Sequence, residues 1–95
     1  MTEAEFQQTV TDLCDWQRVK WHHEVDSRKS KKGFPDLVLC GKRVIFVELK
    51  KQTGRVSKEQ QEWLDRLEAA GMEAYVWRPS DLPKIQQILR EIALR

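Results

Sequence analysis

Two acids and an amine carry the chemistry that can be read in this chain: Asp36, Glu48 and Lys50. Asp36 follows Pro35 at the head of the run Leu37-Val38-Leu39-Cys40, and Glu48 and Lys50 close the run Val44-Ile45-Phe46-Val47. Aliphatic, β-branched and aromatic residues make each run a strand. Strand side chains alternate faces, so Glu48 and Lys50 share a face with Phe46 and Val44, and Ile45, Val47 and Leu49 take the other. The strands form a hairpin, in which directly opposed residues point the same way. A three-residue loop at Gly41-Lys42-Arg43, or a bulged equivalent, opposes Cys40 to Val44, Val38 to Phe46 and Asp36 to Glu48. Asp36, Glu48 and Lys50 then share one face, whereas a two-residue turn would oppose Asp36 to Val47 and turn its carboxylate away.

Charges at the end of an apolar strand are costly to bury unless they are paired or used. Two neighbouring carboxylates repel, and a hard divalent cation relieves the repulsion. Mg²⁺ uses one or two carboxylates and completes its shell with water and phosphate oxygens. A cation held by Asp36 and Glu48 would polarise a phosphoryl group and acidify a water, with Lys50 facing that water or the developing charge. The bland alternative is an ion pair of Lys50 with either acid on a solvated face, and spacing alone does not choose between the two.

Other elements must position these residues. Phe6, Val10, Leu13 and Cys14 recur at helical spacing, giving a helix from Thr2 to about Cys14 with Thr2 and Glu5 as a capping box. Glu3, three residues before Phe6, falls on the core-facing side, and Glu5 falls to the side. A strand follows from about Val19 to Val25, with Val19, Trp21, His23 and Val25 on its core side and His22 on the exposed side. Ser27 to Lys32 is a basic loop without the glycine-lysine frame of a nucleotide P-loop, and it should overhang Asp36. Gly33 permits an unusual backbone conformation, and Pro35 suits a strand start. After the polar loop from Lys51 to Arg55, Ser57 and Gln60 form a second capping box. Trp63, Leu64, Leu67 and Ala70 face inward on that helix, and Gly71 ends it. Gln60 precedes Trp63 by three residues, so it also lies on the sheet-facing side; capping and a site role both fit. Met72 to Trp77 is a strand, Arg78-Pro79-Ser80-Asp81 a turn, and Asp81 or Ser80 caps a last helix. Its stripe of Leu82, Ile85, Ile88, Leu89 and Ile92 either covers the sheet or joins a dimer contact.

The chain has 95 residues, about 40% apolar and 34% charged, which bounds it to one domain, residues 1–95, with a modest core. No run approaches the ~20 apolar residues of a membrane span, and the acidic N-terminus is unlike a signal peptide, so a cytoplasmic location is expected. Cys14 and Cys40 lie in apolar stretches and are expected as buried reduced thiols. With His22 and His23 they match no standard zinc spacing. Net charge is +2, but residues 18–58 carry twelve Lys/Arg against four acids, leaving the remainder at −6. Positive charge flanking the hairpin fits a phosphate backbone as partner, through Arg28, Lys29, Lys31, Lys32, Lys51, Arg55 and Lys58.

Pro35-Asp36 followed by Glu48-Leu49-Lys50 resembles the PD-(D/E)xK nuclease signature. Asp26-Ser27-Arg28, Gly33 through Leu39, Phe46 through Lys50, Ser57-x-x-Gln60-x-x-Trp63-Leu64 and Val76 through Asp81 together resemble the virus-type replication-repair nuclease (VRR-NUC) domain. The order of motifs is kept over nearly the whole chain, and the likeness is to the small stand-alone version of phages and prophages. The resemblance implies a restriction-endonuclease-like α/β fold in the order α-β-β-β-α-β-α, with a mixed sheet flanked by helices. It implies a Mg²⁺- or Mn²⁺-dependent deoxyribonuclease with Asp36 and Glu48 as metal ligands, the Leu49 carbonyl as a further ligand and Lys50 as a catalytic group. It also places Gln60 near the scissile phosphate and an acid of the first helix at the metal, a role that falls to Glu3 while Glu5 caps. Relatives of this type resemble homodimeric Holliday-junction resolvases; a flap- or end-processing nuclease and an inactive DNA-binding subunit are the alternatives. No nucleotide cofactor or membrane partner is implied.

Overall fold

A computed structural model describes residues 1–24 and 31–94. The elements are α1 (Glu3–Trp16), β1 (Lys20–His23), β2 (Leu37–Cys40), β3 (Val44–Leu49), α2 (Lys58–Ala69), β4 (Glu73–Trp77), a 3-10 turn (Pro79–Asp81) and α3 (Leu82–Ile92). The sheet order is β1-β2-β3-β4; the first two pairings are antiparallel and β3 pairs β4 in parallel, with α2 as the crossover. This is the expected order, a mixed sheet flanked by helices. In the β2–β3 hairpin Cys40 pairs Val44 and Val38 pairs Phe46, the register of the three-residue loop.

The two faces of the sheet differ in depth. Leu37, Leu39, Ile45, Val47 and Leu49 are buried together under Phe6, Val10 and Cys14 of α1 and Ile85, Ile88, Leu89 and Ile92 of α3. Each such side chain contributes about 1.5–3 kcal/mol by leaving water. The apolar stripe of α3 therefore covers the sheet. The opposite face carries α2 on a smaller cluster, in which Phe34 meets Phe46 and Trp63 edge-on at centroid distances of 6.1 and 5.0 Å. Leu64 is buried there, outside the main core. Glu48 emerges on this second face, by the alternation along β3.

Several expectations are corrected. Cys40 is exposed, because β2 ends there and the chain turns away; Cys14 is buried and both thiols are free. Ala70 is exposed as the C-cap of α2, where the helix has already run past the sheet. Gly71 follows at φ 86°, with Gly71 N–H donating to the Glu68 carbonyl and Met72 N–H to that of Leu67. Neither Ser80 nor Asp81 caps α3 through its side chain. The Asp81 carboxylate instead accepts from Arg78 N–H at 2.8 Å, closing the 3-10 turn, and α3 grows directly out of it. The described part of the first strand is shorter than expected. Its Trp21 is 37% exposed on the edge strand, with its indole N–H donating to Asp15 Oδ1.

Candidate active site

The hairpin register and two helix starts bring the acids together. Leu37 pairs Val47, so Asp36 arrives opposite Glu48. Asp36 is fixed from both sides: its carbonyl accepts from Glu24 N–H at 2.9 Å, and its Oδ2 accepts from Leu49 N–H at 2.8 Å. In a strand the carbonyl of a residue leaves on the same side as its N–H, so the Leu49 carbonyl also faces the Asp36 side. At the start of α1, Thr2 N–H donates to Glu5 Oε1 and Glu5 N–H to Thr2 Oγ1, at 2.8 and 3.1 Å. These bonds with Thr2 commit the Glu5 carboxylate to the cap and hold it below its usual range. Glu3 is left to reach round the sheet end, and one carboxylate oxygen each of Glu3, Asp36 and Glu48 lies within 4.8 Å of the others.

Glu48 sits in the most unusual environment. It is 1% exposed, yet only one of its oxygens is satisfied. Oε2 accepts from Gln60 Nε2 at 2.9 Å and lies 3.8 Å from Lys50 Nζ, while Oε1 is buried without a hydrogen-bond partner. A buried unsatisfied acceptor costs about 1–3 kcal/mol, and more when charged. Burial is the main force pushing the Glu48 carboxyl up to about 8; the Asp36 charge adds to it, Lys50 partly offsets it and Glu3 contributes slightly. A buried acid with one unpartnered oxygen, converging with two further acids, is a donor set that a hard divalent cation fits. The Lys50 side chain is only 12% exposed, so its ion pair with Glu48 is not the solvated surface bridge of the bland alternative.

Gln60 serves both of its alternatives at once. Its Oε1 accepts from Ser57 N–H at 2.8 Å and Ser57 Oγ accepts from Gln60 N–H at 3.1 Å, completing the capping box. Its amide nitrogen remains free to hold Glu48. Spacing could place Gln60 on this face but could not show that the two ends of one amide divide the work.

The basic residues frame the site unevenly. Lys31, Lys32, Lys51, Arg55 and Lys58 are exposed, and Lys32 pairs with Glu59 on α2 at 3.4 Å. Arg28 and Lys29 lie outside the described residues. Gly33 has φ 91°, and a Cβ there would come within 2.6–2.8 Å of the Glu59–Gln60 backbone, so the chain at Gly33 rests directly on the first turn of α2. His23 Nδ1 lies 3.4 Å from Gln7 Nε2 and acts as a packing residue, while His22 is exposed. Among the described residues, the acidic trio is the group of metal-ligating types whose atoms converge. Burial pushes the Cys14 thiol up to about 12, away from thiolate chemistry. Arg78 and Ser80, which spacing marks as turn residues with Ser80 a cap candidate, grip the loop that follows Lys50.

The VRR-NUC domain model matches residues 2–81. A solved structure described as a VRR_NUC domain protein aligns with a TM-score of 0.73 at 22% identity, covering 99% of this chain and 92% of the other. That likeness shows a shared fold, the restriction-endonuclease-like arrangement. No curated protein matches the chain. The family match takes in every element that builds the acidic cluster, from α1 to the turn before α3, and the chain belongs to the VRR-NUC domain family, nucleases of the PD-(D/E)xK type.

Proposed function

We propose that the protein is a metal-dependent, structure-specific DNA endonuclease that resolves four-way junctions as a homodimer. The observation that carries the metal-dependent reading is the buried Glu48 side chain, with one oxygen anchored by Gln60, the other without a hydrogen-bond partner, and acids of Asp36 and Glu3 converging on the same residue. Asp36, Glu48, the Leu49 carbonyl and Glu3 would hold Mg²⁺ or Mn²⁺. Such an ion supplies Lewis acidity toward a phosphodiester oxygen and an acidified water.

The chain's own residues do the rest. Gln60 ties Glu48 Oε2 and leaves Oε1 without a protein donor, available to a cation. Leu49 N–H fixes the rotamer of Asp36. Lys50, with its stem shielded, orients the attacking water or meets charge developing on the phosphate. Exposed Lys31, Lys32, Lys51, Arg55 and Lys58, joined by Arg28 and Lys29, bind the flanking backbone as sequence-independent anchors. Two symmetric cuts in one junction need two sites, which two copies of a 95-residue chain would supply.

The test is to incubate labelled four-way junction, flap and linear duplex with the protein in Mg²⁺, Mn²⁺ or chelator, alongside its solution mass. Paired symmetric cuts in the junction, abolished by chelator and made by a dimer, support the reading. Cutting of flaps alone assigns end processing, and binding without cutting assigns a DNA-binding subunit.

A further inference from the structure

The segment from Lys51 to Val56 joins Lys50 to the α2 cap that carries Gln60, so its shape sets the relation between the two. It is a polar loop with little apolar anchorage of its own. Its fixation comes from the other side of the sheet end. Lys50 N–H donates to the Trp77 carbonyl at 3.0 Å, tying the end of β3 to the end of β4. The next residue, Arg78, aims Nη1 at three carbonyls of the loop: Gly54 at 2.7 Å, Lys51 at 3.0 Å and Gln52 at 3.4 Å. Gln52 returns the grip, its Nε2 donating to Ser80 Oγ at 3.1 Å and its Oε1 accepting from Ser80 N–H at 3.0 Å. The platform is itself rigid, because Pro79 starts the 3-10 turn and Asp81 accepts from Arg78 N–H.

The loop held in this way backs onto Lys50. A Cβ built on Gly54 would sit 3.5 Å from Lys50 Cδ and 3.4 Å from Lys51 Cγ, so the Gly54 backbone passes close along the Lys50 stem. That stem is what holds Nζ within 3.8 Å of Glu48 Oε2. Nη1 carries two hydrogens, so the shorter bonds to Gly54 and Lys51 carry the grip and the longer one to Gln52 shares a hydrogen; the guanidinium charge makes these bonds stronger than neutral ones.

We infer that Arg78, through its carbonyl clamp on the loop from Lys51 to Gly54, is a positioning residue that holds Lys50 in its reactive place. The inference rests on the proposed role of Lys50 and adds a device beyond the acidic cluster. Arg78 acts on the loop and does not contact DNA. A shift of about 1 Å in a catalytic group lowers turnover by roughly 10²-fold.

The test uses Arg78→Ala, Arg78→Lys and Gln52→Ala in the full chain, with two independent readouts. The first is the acetylation rate of Lys50 relative to exposed Lys84, read by peptide mass spectrometry without DNA. The second is kcat, KM and the salt dependence of binding to a four-way junction. In Arg78→Ala, Lys50 acetylation rises about tenfold and kcat falls about 10²-fold, while KM and the salt slope hold. Arg78→Lys recovers part of both, because an ammonium still donates to the same carbonyls. Gln52→Ala moves both readouts in the same direction by less, and it decides the matter if Arg78→Ala does not fold. Unchanged Lys50 acetylation in the folded variants overturns the inference. So does a loss confined to KM with a salt slope reduced by about one, which would make Arg78 a phosphate-binding residue. Undiminished cutting by Lys50→Ala would instead overturn the assigned role of Lys50, and the acetylation readout would still judge the clamp.

Discussion

At the scale of single residues, Glu48 shows most clearly what the site is prepared for. Its carboxyl is raised from 4.5 to about 8 in the folded chain, so the fold favours the neutral form. The unfolded chain gives up that proton near pH 4.5. Stability from this group is therefore fully present below that pH and is lost as pH rises toward about 8. The metal-free protein should melt at a lower temperature at pH 8.5 than at pH 5.5, and a divalent cation should restore most of the loss at the higher pH. Glu48→Gln should flatten this dependence and stabilise the metal-free protein at pH 8.5 by about 1–3 kcal/mol, because a buried charge is removed while a hydrogen-bonding amide remains. Urea melts at the two pH values check both statements. Lower stability of Glu48→Gln at pH 8.5 would show that the acid is satisfied without a cation. The sequence revealed that Asp36 and Glu48 share a face, because strand parity depends only on counting. It could not reveal the orphaned oxygen, which depends on where Gln60 and Lys50 stop short.

At the scale of elements, α2 links stability to the site through one side chain. Ser57→Ala removes the cap and should cost about 1 kcal/mol with cutting little changed, because Gln60 Nε2 keeps its bond to Glu48. Gln60→Glu keeps an acceptor for Ser57 N–H but loses the donor to Glu48 and adds a fourth acid near the cluster. It should stay as stable as the parent to within about 1 kcal/mol and lose cutting by 10²-fold or more. Thermal melts and single-turnover rates on the pair separate the two roles, and equal activity in both variants would leave Gln60 as a cap only. Gly33→Ala should destabilise by well over 1 kcal/mol, since it meets both a positive φ and the α2 backbone. Both capping boxes were legible because they are local patterns whose partners lie three positions apart. The Arg78 clamp was not, because its bonds span 24–27 residues and follow no period. Asp81 does precede α3 as expected, but its side chain does not cap the helix, because it has an alternative partner in Arg78 N–H that spacing does not display.

At the scale of the whole molecule, charge is laid out by region. Residues 18–58, which carry the hairpin, are strongly basic and the rest of the chain is acidic, and Lys31, Lys32, Lys51, Arg55 and Lys58 of that segment are exposed. Neutralising Arg28, Lys29, Lys31 and Lys32 together should weaken junction binding and flatten the log–log salt dependence by about 0.9 for each phosphate that is no longer neutralised. Fluorescence anisotropy across a salt series reads this directly, and an unchanged slope would exclude that segment from the footprint. The order of elements and the sheet-covering role of α3 were legible because apolar periodicity reports burial. The exposure of Cys40 was not, because periodicity does not say where a strand stops being covered.

In the proposed function, Asp36, Glu48 and Lys50 form one cation-dependent centre that cuts DNA. The most direct measurement is the single-turnover rate on a labelled four-way junction in Mn²⁺, for the parent, Asp36→Ala and Lys50→Ala, with binding measured on the same samples. Cutting by the parent should stop with chelator, each variant should lose at least about 10³-fold, and binding should stay within about tenfold of the parent. Cutting by either variant at the parent's rate, or by the parent in chelator, would contradict that function.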